Sequence, residues 1–279
     1  MTTPTTSLLL ATYNWPQALA LVLAAVRRQT VRPLEVLIAD DGSGPETRDL
    51  IAREAATFPV PLVHVWHEDR GFRAAAIRNQ AITRANGDYI VQIDGDIVLH
   101  PGALAAHVAW ARRGTFVQGS RALLTEARTT ELLRTGLVPL GPFSRGVQRR
   151  LNAWHAPWLA PLSRGTRDTI ERIRGCHIAF WRDDLLRVNG YDEAYEGWGR
   201  EDSDLTLRLG NAGVVRRNLK FGAVAFHLWH RQQSRDAFDR NSERLAQARR
   251  EGRVRAQRGL DQYLTSTPAA PPAASQESA

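Results

Sequence analysis

Four short apolar runs, Ser7 to Ala11, Leu34 to Ala39, Leu62 to Trp66 and Tyr89 to Ile93, alternate with stretches of helical character, and this alternation constrains the fold more than any other feature of the chain. Each run reads as a buried strand that ends in polar or turn-forming residues. The first leads through Asn14, an expected N-cap, and Pro16 into a helix reaching Val26. The second ends in Asp40-Asp41-Gly42-Ser43 ahead of a helix from Pro45 to Ala56. After the third comes a helix from Ala74 to Ala85, with Asn86-Gly87 as its expected left-handed C-cap. The fourth delivers Asp94-Gly95-Asp96, and Pro101 opens the next helix. Strands and helices in this order predict right-handed βαβ crossovers and a mainly parallel sheet. In such sheets ligands sit beyond the carboxyl ends of the strands. Tyr13, Asn14, Asp40, Asp41, Asp94 and Asp96 should therefore converge on one edge.

The remainder of the 279 residues divides by composition. Residues 1–118 form the half just described, and 119–174 a basic insert rich in Pro, Gly, Trp and Arg. Residues 175–264 hold a strand His177 to Trp181, a helix opened by Glu201 and Asp202 and closed by Gly213, a strand running into "FHLWH", and a polar helix from Asp236 to about Arg255. The Pro- and Ala-rich segment 265–279 reads as a disordered tail. No run reaches the roughly 18 apolar residues of a membrane span. The N-terminus lacks a basic region ahead of its apolar run, so the expected location is the cytoplasm. Cys176 is the only cysteine and reads as a small buried side chain. A net charge of +8 favours nucleotides, phosphates, anionic lipid head groups or nucleic acid as partners.

Five constellations carry chemistry. Asp94 and Asp96 on a tight turn suit Mg²⁺ or Mn²⁺, which take oxygen ligands from carboxylates and substrate phosphates. Of Asp40 and Asp41, one stabilises the turn and the other, Asp41, accepts from a base or ribose. Arg73 and Arg78, at and near a helix start, are placed for a diphosphate. Trp198, between two glycines, offers an indole face to a sugar, and Glu201 and Asp202 follow it. His227 and His230 supply an imidazole to a transition ion.

These residues, in this order, resemble the family 2 glycosyltransferases of the GT-A fold. "TYN", "ADDGS", "RNQAI" and "DGD" carry the resemblance in the N-terminal half. "NGYDEAYEGWGREDSDL" and "HLWH" are similar to the catalytic segment of β-1,4-galactosyltransferases and chondroitin-type polymerases. The resemblance implies a single α/β domain with a Rossmann-like, mixed and mainly parallel sheet flanked by helices. It implies inverting transfer from a nucleotide sugar, usually a UDP-sugar, to a glycan or lipid-linked hydroxyl in polysaccharide or surface-glycan synthesis. Tyr13 and Asp41 would then hold the base and ribose, Arg73 and Arg78 the diphosphate, Asp96 the metal and Asp94 the ribose or metal. Trp198 and Glu201 would bind sugar, Asp202 would be the base, and His230 or His227 would complete the metal site. The family often has a proline before the threonine where this chain has "LLLATYN".

The insert admits two readings: a loop covering the acceptor, or a peripheral contact with anionic membrane through its arginines, Trp154 and Trp158. Three other functions compete with sugar transfer. A phosphatase with D-x-D needs a hydroxyl residue where this chain has Val98, and a catalytic lysine, of which Lys220 is the sole example. A sugar nucleotidyltransferase needs a glycine-rich basic loop after the first strand. A non-catalytic nucleotide- or nucleic-acid-binding protein would rely on arginines alone, and no nucleic-acid-binding motif supports it.

Overall fold

A computed structural model describes residues 3–163, 166–167, 173–231 and 234–264; the expected tail at 265–279 lies outside them. In chain order the N-terminal half runs β1 (Thr6–Thr12), α1 (Pro16–Arg27), β2 (Glu35–Asp40), α2 (Pro45–Ala55), β3 (Leu62–Trp66), α3 (Ala74–Arg84), β4 (Tyr89–Asp94), β5 (Ile97–Leu99) and α4 (Ala103–Trp110). The second half runs β6 (Thr115–Leu124), α5 (Glu126–Thr135), β7 (Val147–Gln148), α6 (Ala160–Ser163), β8 (Thr166–Arg167), β9 (His177–Trp181), α7 (Arg182–Arg187), α8 (Glu201–Asn211), β10 (Val215–His227), α9 (Phe238–Arg250) and α10 (Asp261–Leu264).

All these strands belong to one sheet, with β3-β2-β1-β4-β9-β6-β10-β5 as its main path. The β1–β2, β1–β4, β2–β3 and β6–β10 pairs are parallel; β9 is antiparallel to both β4 and β6. The sheet is therefore mixed, and its parallel character is concentrated in the first four strands. Burial on both faces explains why β1, β2 and β4 read as near-continuous apolar runs, whereas the edge strand β3 is only half-buried. Leu8 and Leu10 pack with α1 through Leu19 and Leu23, while Leu9 points to the opposite layer with Ile77 and Ala81 of α3. Strand order reverses at β1, which has β2 on one side and β4 on the other, and such a reversal opens a crevice at the carboxyl ends.

Several expectations are corrected. The boundary after residue 118 falls inside β6, which pairs with β9 and β10, so residues 119–124 belong to the sheet. Asn14 is not the N-cap of α1; Trp15 holds that position without a side-chain cap bond. Instead Asn14, with φ of 44°, accepts from Gly44 N–H through Oδ1 at 2.9 Å and donates its own N–H to Ser43 Oγ at 2.8 Å, joining the loops after β1 and β2. Helix α3 leaves through an extended Ala85, without a left-handed cap, and Gly87 instead gives room for close approach to Ser7. Helix α4 starts at Ala103, and Pro101 uses its carbonyl to accept from Thr30 N–H. Helix α9 is shorter than the expected polar helix.

Candidate active site

The D-x-D turn lies where β4 ends beside β1. Gly95 donates its N–H to the Ala11 carbonyl at 2.6 Å, and a Cβ on residue 95 would sit 2.9 Å from that oxygen. Glycine is thus required by close approach to the neighbouring strand. Beyond the turn, β5 pairs with β10 and places Ile97 opposite His227. This pairing brings Asp96 to the histidines: its Oδ2 lies 3.4 Å from His227 Nε2 and 3.3 Å from His230 Nε2.

Asp96, His227 and His230 form a donor cluster whose ligand atoms lie within 4.8 Å of one another. Burial, then the neighbouring Asp94 charge, pushes the Asp96 carboxyl up to about 8, with Arg121 opposing. Its Oδ1 is buried and has no hydrogen-bond partner. Burial also pushes His227 down to about 3, helped by Arg121 and His230, which keeps that imidazole neutral. His230 Nδ1 lies 2.7 Å from the Arg231 carbonyl. A carbonyl can only accept, so Nδ1 carries the hydrogen and, in the neutral ring, Nε2 turns its lone pair toward Asp96. A carboxylate and two imidazoles, one oriented by a backbone carbonyl, form a donor set that fits a divalent first-row ion.

Arg78 connects this turn to α8. It is 5% exposed, and donates to Asp94 Oδ1 at 3.0 Å and to Glu201 Oε1 at 3.1 Å. Burial opposes the guanidinium charge, but Asp94, Tyr191, Glu201 and Asp202 more than offset it and raise the pKa. Arg78 was expected to meet a diphosphate. Its position one turn into α3 turns it inward, so it acts as a bracket between carboxylates. Glu201, buried and pushed up to about 7 by desolvation and then by Asp202, keeps Oε2 unpartnered.

Asp202 follows at the start of α8, where the left-handed Arg200 (φ 78°) precedes the helix. Its Oδ2 accepts from Gly175 N–H at 2.7 Å and its Oδ1 from Ser203 N–H at 2.8 Å. Burial raises its pKa against those N–H groups and Arg78. Backbone donors on both oxygens hold this carboxylate in place, close enough to Asp94 to feel its charge.

The remaining expected residues are held by local contacts of their own. Asp40 is fully buried, bonded to Ser43 N–H and His64 Nε2, and is the turn-stabilising member of its pair. Asp41 is also buried and already held by His67 Nε2 at 2.7 Å and Arg73 N–H at 2.9 Å, so it offers only residual acceptor capacity to a ligand. Arg73 contributes its backbone N–H there, and its guanidinium makes no hydrogen bond among the described residues. Tyr13 donates to Asp69 at 2.9 Å, which together with burial raises its pKa, while half of the residue stays exposed for stacking. Trp198 is less free than expected: one face stacks on Phe238 at 5.9 Å and Arg235 approaches its ring. Positive φ angles at Gly197 and Gly199 set the loop that carries it.

A model for glycosyl transferase family 2 matches residues 7–160, more than half of the chain. The chain belongs to that family. A second model, described as the N-terminal domain of galactosyltransferase, matches residues 163–230. Validoxylamine A glucosyltransferase of Streptomyces hygroscopicus subsp. limoneus is 28% identical over 225 residues, covering 76% of this chain and 49% of the relative. Chondroitin synthase of Escherichia coli is 24% identical over 237 residues, covering 79% and 34%. The chain thus spans about half or less of the length of these curated relatives. Among solved structures, S. aureus TarS 1-349 in complex with UDP superposes with a TM-score of 0.59 at 15% identity, over 92% of this chain and 68% of that one. Mannosyltransferase PcManGT from Pyrobaculum calidifontis, in complex with GDP-Man and Mn2+, gives 0.57 at 21% identity over 82% and 58%. The fold is the GT-A architecture of these neighbours.

In this family 2 chain, one site residue escaped the sequence analysis. Arg121 sits mid-strand in β6, where its charge bears on Asp96 and His227. Its NH1 lies 3.5 Å from Cys176 Sγ, and its Nε is buried without a partner. The signal was the arginine itself, since a charge inside a central strand is costly to bury without a purpose. Cys176 is buried as expected, and desolvation pushes its thiol up to about 12.

Proposed function

We propose that the chain is a metal-dependent inverting glycosyltransferase acting on a nucleotide sugar, with UDP as the preferred nucleotide, and on a hydroxyl of a glycan or lipid-linked acceptor. The observation carrying this reading is the convergence of the Asp96–His227–His230 cluster with Asp202 across the Arg78 bracket. Asp96, His227 and His230 would hold Mn²⁺, with Asp94 beside them; Mg²⁺, which takes oxygen ligands, suits two imidazoles less well. The ion supplies Lewis-acid neutralisation of charge on the leaving diphosphate. Arg121 and Arg73 add positive charge on the same side. The base stacks on Tyr13 and the ribose uses what acceptor capacity Asp41 and Asp94 retain, while Trp198 and Glu201 bound the sugar.

Asp202 takes the proton of the acceptor hydroxyl as its oxygen bonds to the anomeric carbon. The bond from that carbon to the diphosphate breaks on the opposite face, through an oxocarbenium-like state. The Gly175 and Ser203 N–H groups fix the carboxylate, and burial raises its pKa above the ordinary value. The test pairs thermal-shift screening of UDP, GDP and dTDP, with and without Mn²⁺, with nucleotide release from the corresponding sugars. Metal-dependent stabilisation by UDP, and turnover falling roughly 10²- to 10⁴-fold in Asp202→Asn while UDP still binds, is the expected result. Full turnover in Asp202→Asn refutes the base. Nucleotide binding without turnover of any donor leaves the non-catalytic binding reading in its place.

A further inference from the structure

The segment from Phe143 to Leu162 is built inside out. Ala153, Ala156 and Ala160 are buried, the last among Ala106, Val117 and Leu219 under β10. Leu162 (82%), Phe143 (79%), Trp158 (78%) and Leu151 (68%) are the four most exposed large hydrophobic side chains among the described residues, and Trp154 joins them with its ring edge-on to Phe143. Single exposed apolar residues are ordinary, but five of them within twenty residues of sequence, two with rings in contact, are not.

The charge pattern names the partner. From Leu132 to Arg167 the sequence has no Asp or Glu and six arginines, of which Arg145, Arg149 and Arg150 are exposed beside the apolar residues. A two-fold contact between copies would set like charges against each other. Nucleic acid would leave Leu151 and Leu162 without a use. An anionic bilayer satisfies both sets, arginines at the head groups and Trp, Phe and Leu at the acyl boundary.

The face is also fastened to the site. Asn152 donates to the Arg121 carbonyl and accepts from Ser120 Oγ, each at 3.0 Å, and Ala156 N–H donates to the Phe221 carbonyl. His155 stacks on His100 at 3.9 Å over Gly102, where a Cβ would lie 2.6 Å from its Nε2. From Arg121, the contact with Cys176 and the Cys176 carbonyl on Asp94 N–H lead to the D-x-D turn.

We propose that this face docks the chain on an anionic lipid bilayer and sets the site beside a lipid-borne acceptor; the second clause rests on the transferase reading, the first does not. The experiment is flotation of the full chain with phosphatidylcholine vesicles containing or lacking phosphatidylglycerol, at low and high salt, without donor sugar. The wild type should float with anionic vesicles and lose most binding at high salt. Trp158→Ser/Leu162→Ser and Arg149→Glu/Arg150→Glu should each cut partition at least about tenfold, with unchanged thermal midpoints and unchanged nucleotide release. Wild type confined to the soluble fraction overturns the proposal, as does unaltered flotation of the Trp158/Leu162 variant. A dimer in light scattering that this variant abolishes, with no vesicle binding, assigns the face to self-association and equally overturns it. Flotation without turnover of any nucleotide sugar leaves docking standing and removes only the transferase reading.

Discussion

Acidification should destabilise this protein through a buried histidine pair that the reaction does not use. His107 and His177 are 0% and 1% exposed, and their Nε2 atoms lie 2.9 Å apart. His177 Nδ1 donates to the Ser120 carbonyl, so its neutral Nε2 can only accept, and His107 Nε2 must donate. His107 Nδ1 is then a buried lone pair without a partner. Burial pushes His177 from 6.5 down to about 4, and moves His107 in the same direction through burial and then His177. A histidine with a lowered folded-state pKa leaves the unfolded chain binding the extra proton. Stability is therefore present above the ordinary value of 6.5 and is lost as pH falls toward about 4. The gap of about 2.5 pH units at ~1.4 kcal/mol each sets a full loss of about 3.5 kcal/mol for His177 alone, of which about 2 falls between pH 7 and 5. The assay is urea unfolding of wild type and His107→Gln/His177→Gln at both pH values. Other titrating groups are common to both proteins, so the wild type should lose about 2 kcal/mol more than the variant. Parallel losses would refute the reasoning.

Arg78→Met strands two carboxylates and should lower the unfolding free energy at pH 8 by about 3–5 kcal/mol in urea titration, whereas a surface ion pair would cost under about 1 kcal/mol. Arg121→Leu should weaken Mn²⁺–UDP binding roughly ten- to a hundredfold by calorimetry, the loss of one charge-assisted contact, while leaving the unfolding midpoint within a few degrees; unchanged affinity removes Arg121 from the diphosphate side. Chelation with EDTA, or Asp96→Asn, should abolish the thermal stabilisation given by UDP with Mn²⁺, and stabilisation that survives both would dissolve the proposed metal site.

What the sequence revealed, and what it hid, follows from the range of the interactions. Strands β1, β2 and β4 are legible because both their faces are buried, and the edge strand β3, half-buried, is read from its place in the alternation; the strand-end rule then predicts where Tyr13, Asp41, Asp94 and Asp96 lie. His227 and His230 were named as alternatives, but the β5–β10 register brings both to Asp96, and no local pattern encodes that pairing. The Arg78 bracket is hidden for the same reason: its carboxylate partners lie 16 and 123 residues away, whereas its helix-start position suggests only a phosphate. The insert was hardest, because its inward face is alanine and its outward face tryptophan and leucine, the reverse of the pattern that marks a core. That inversion is itself informative. Four large apolar side chains held in water on a frame fixed by Asn152 and Ala156 contribute nothing to folding, which is the physical ground of the docking proposal.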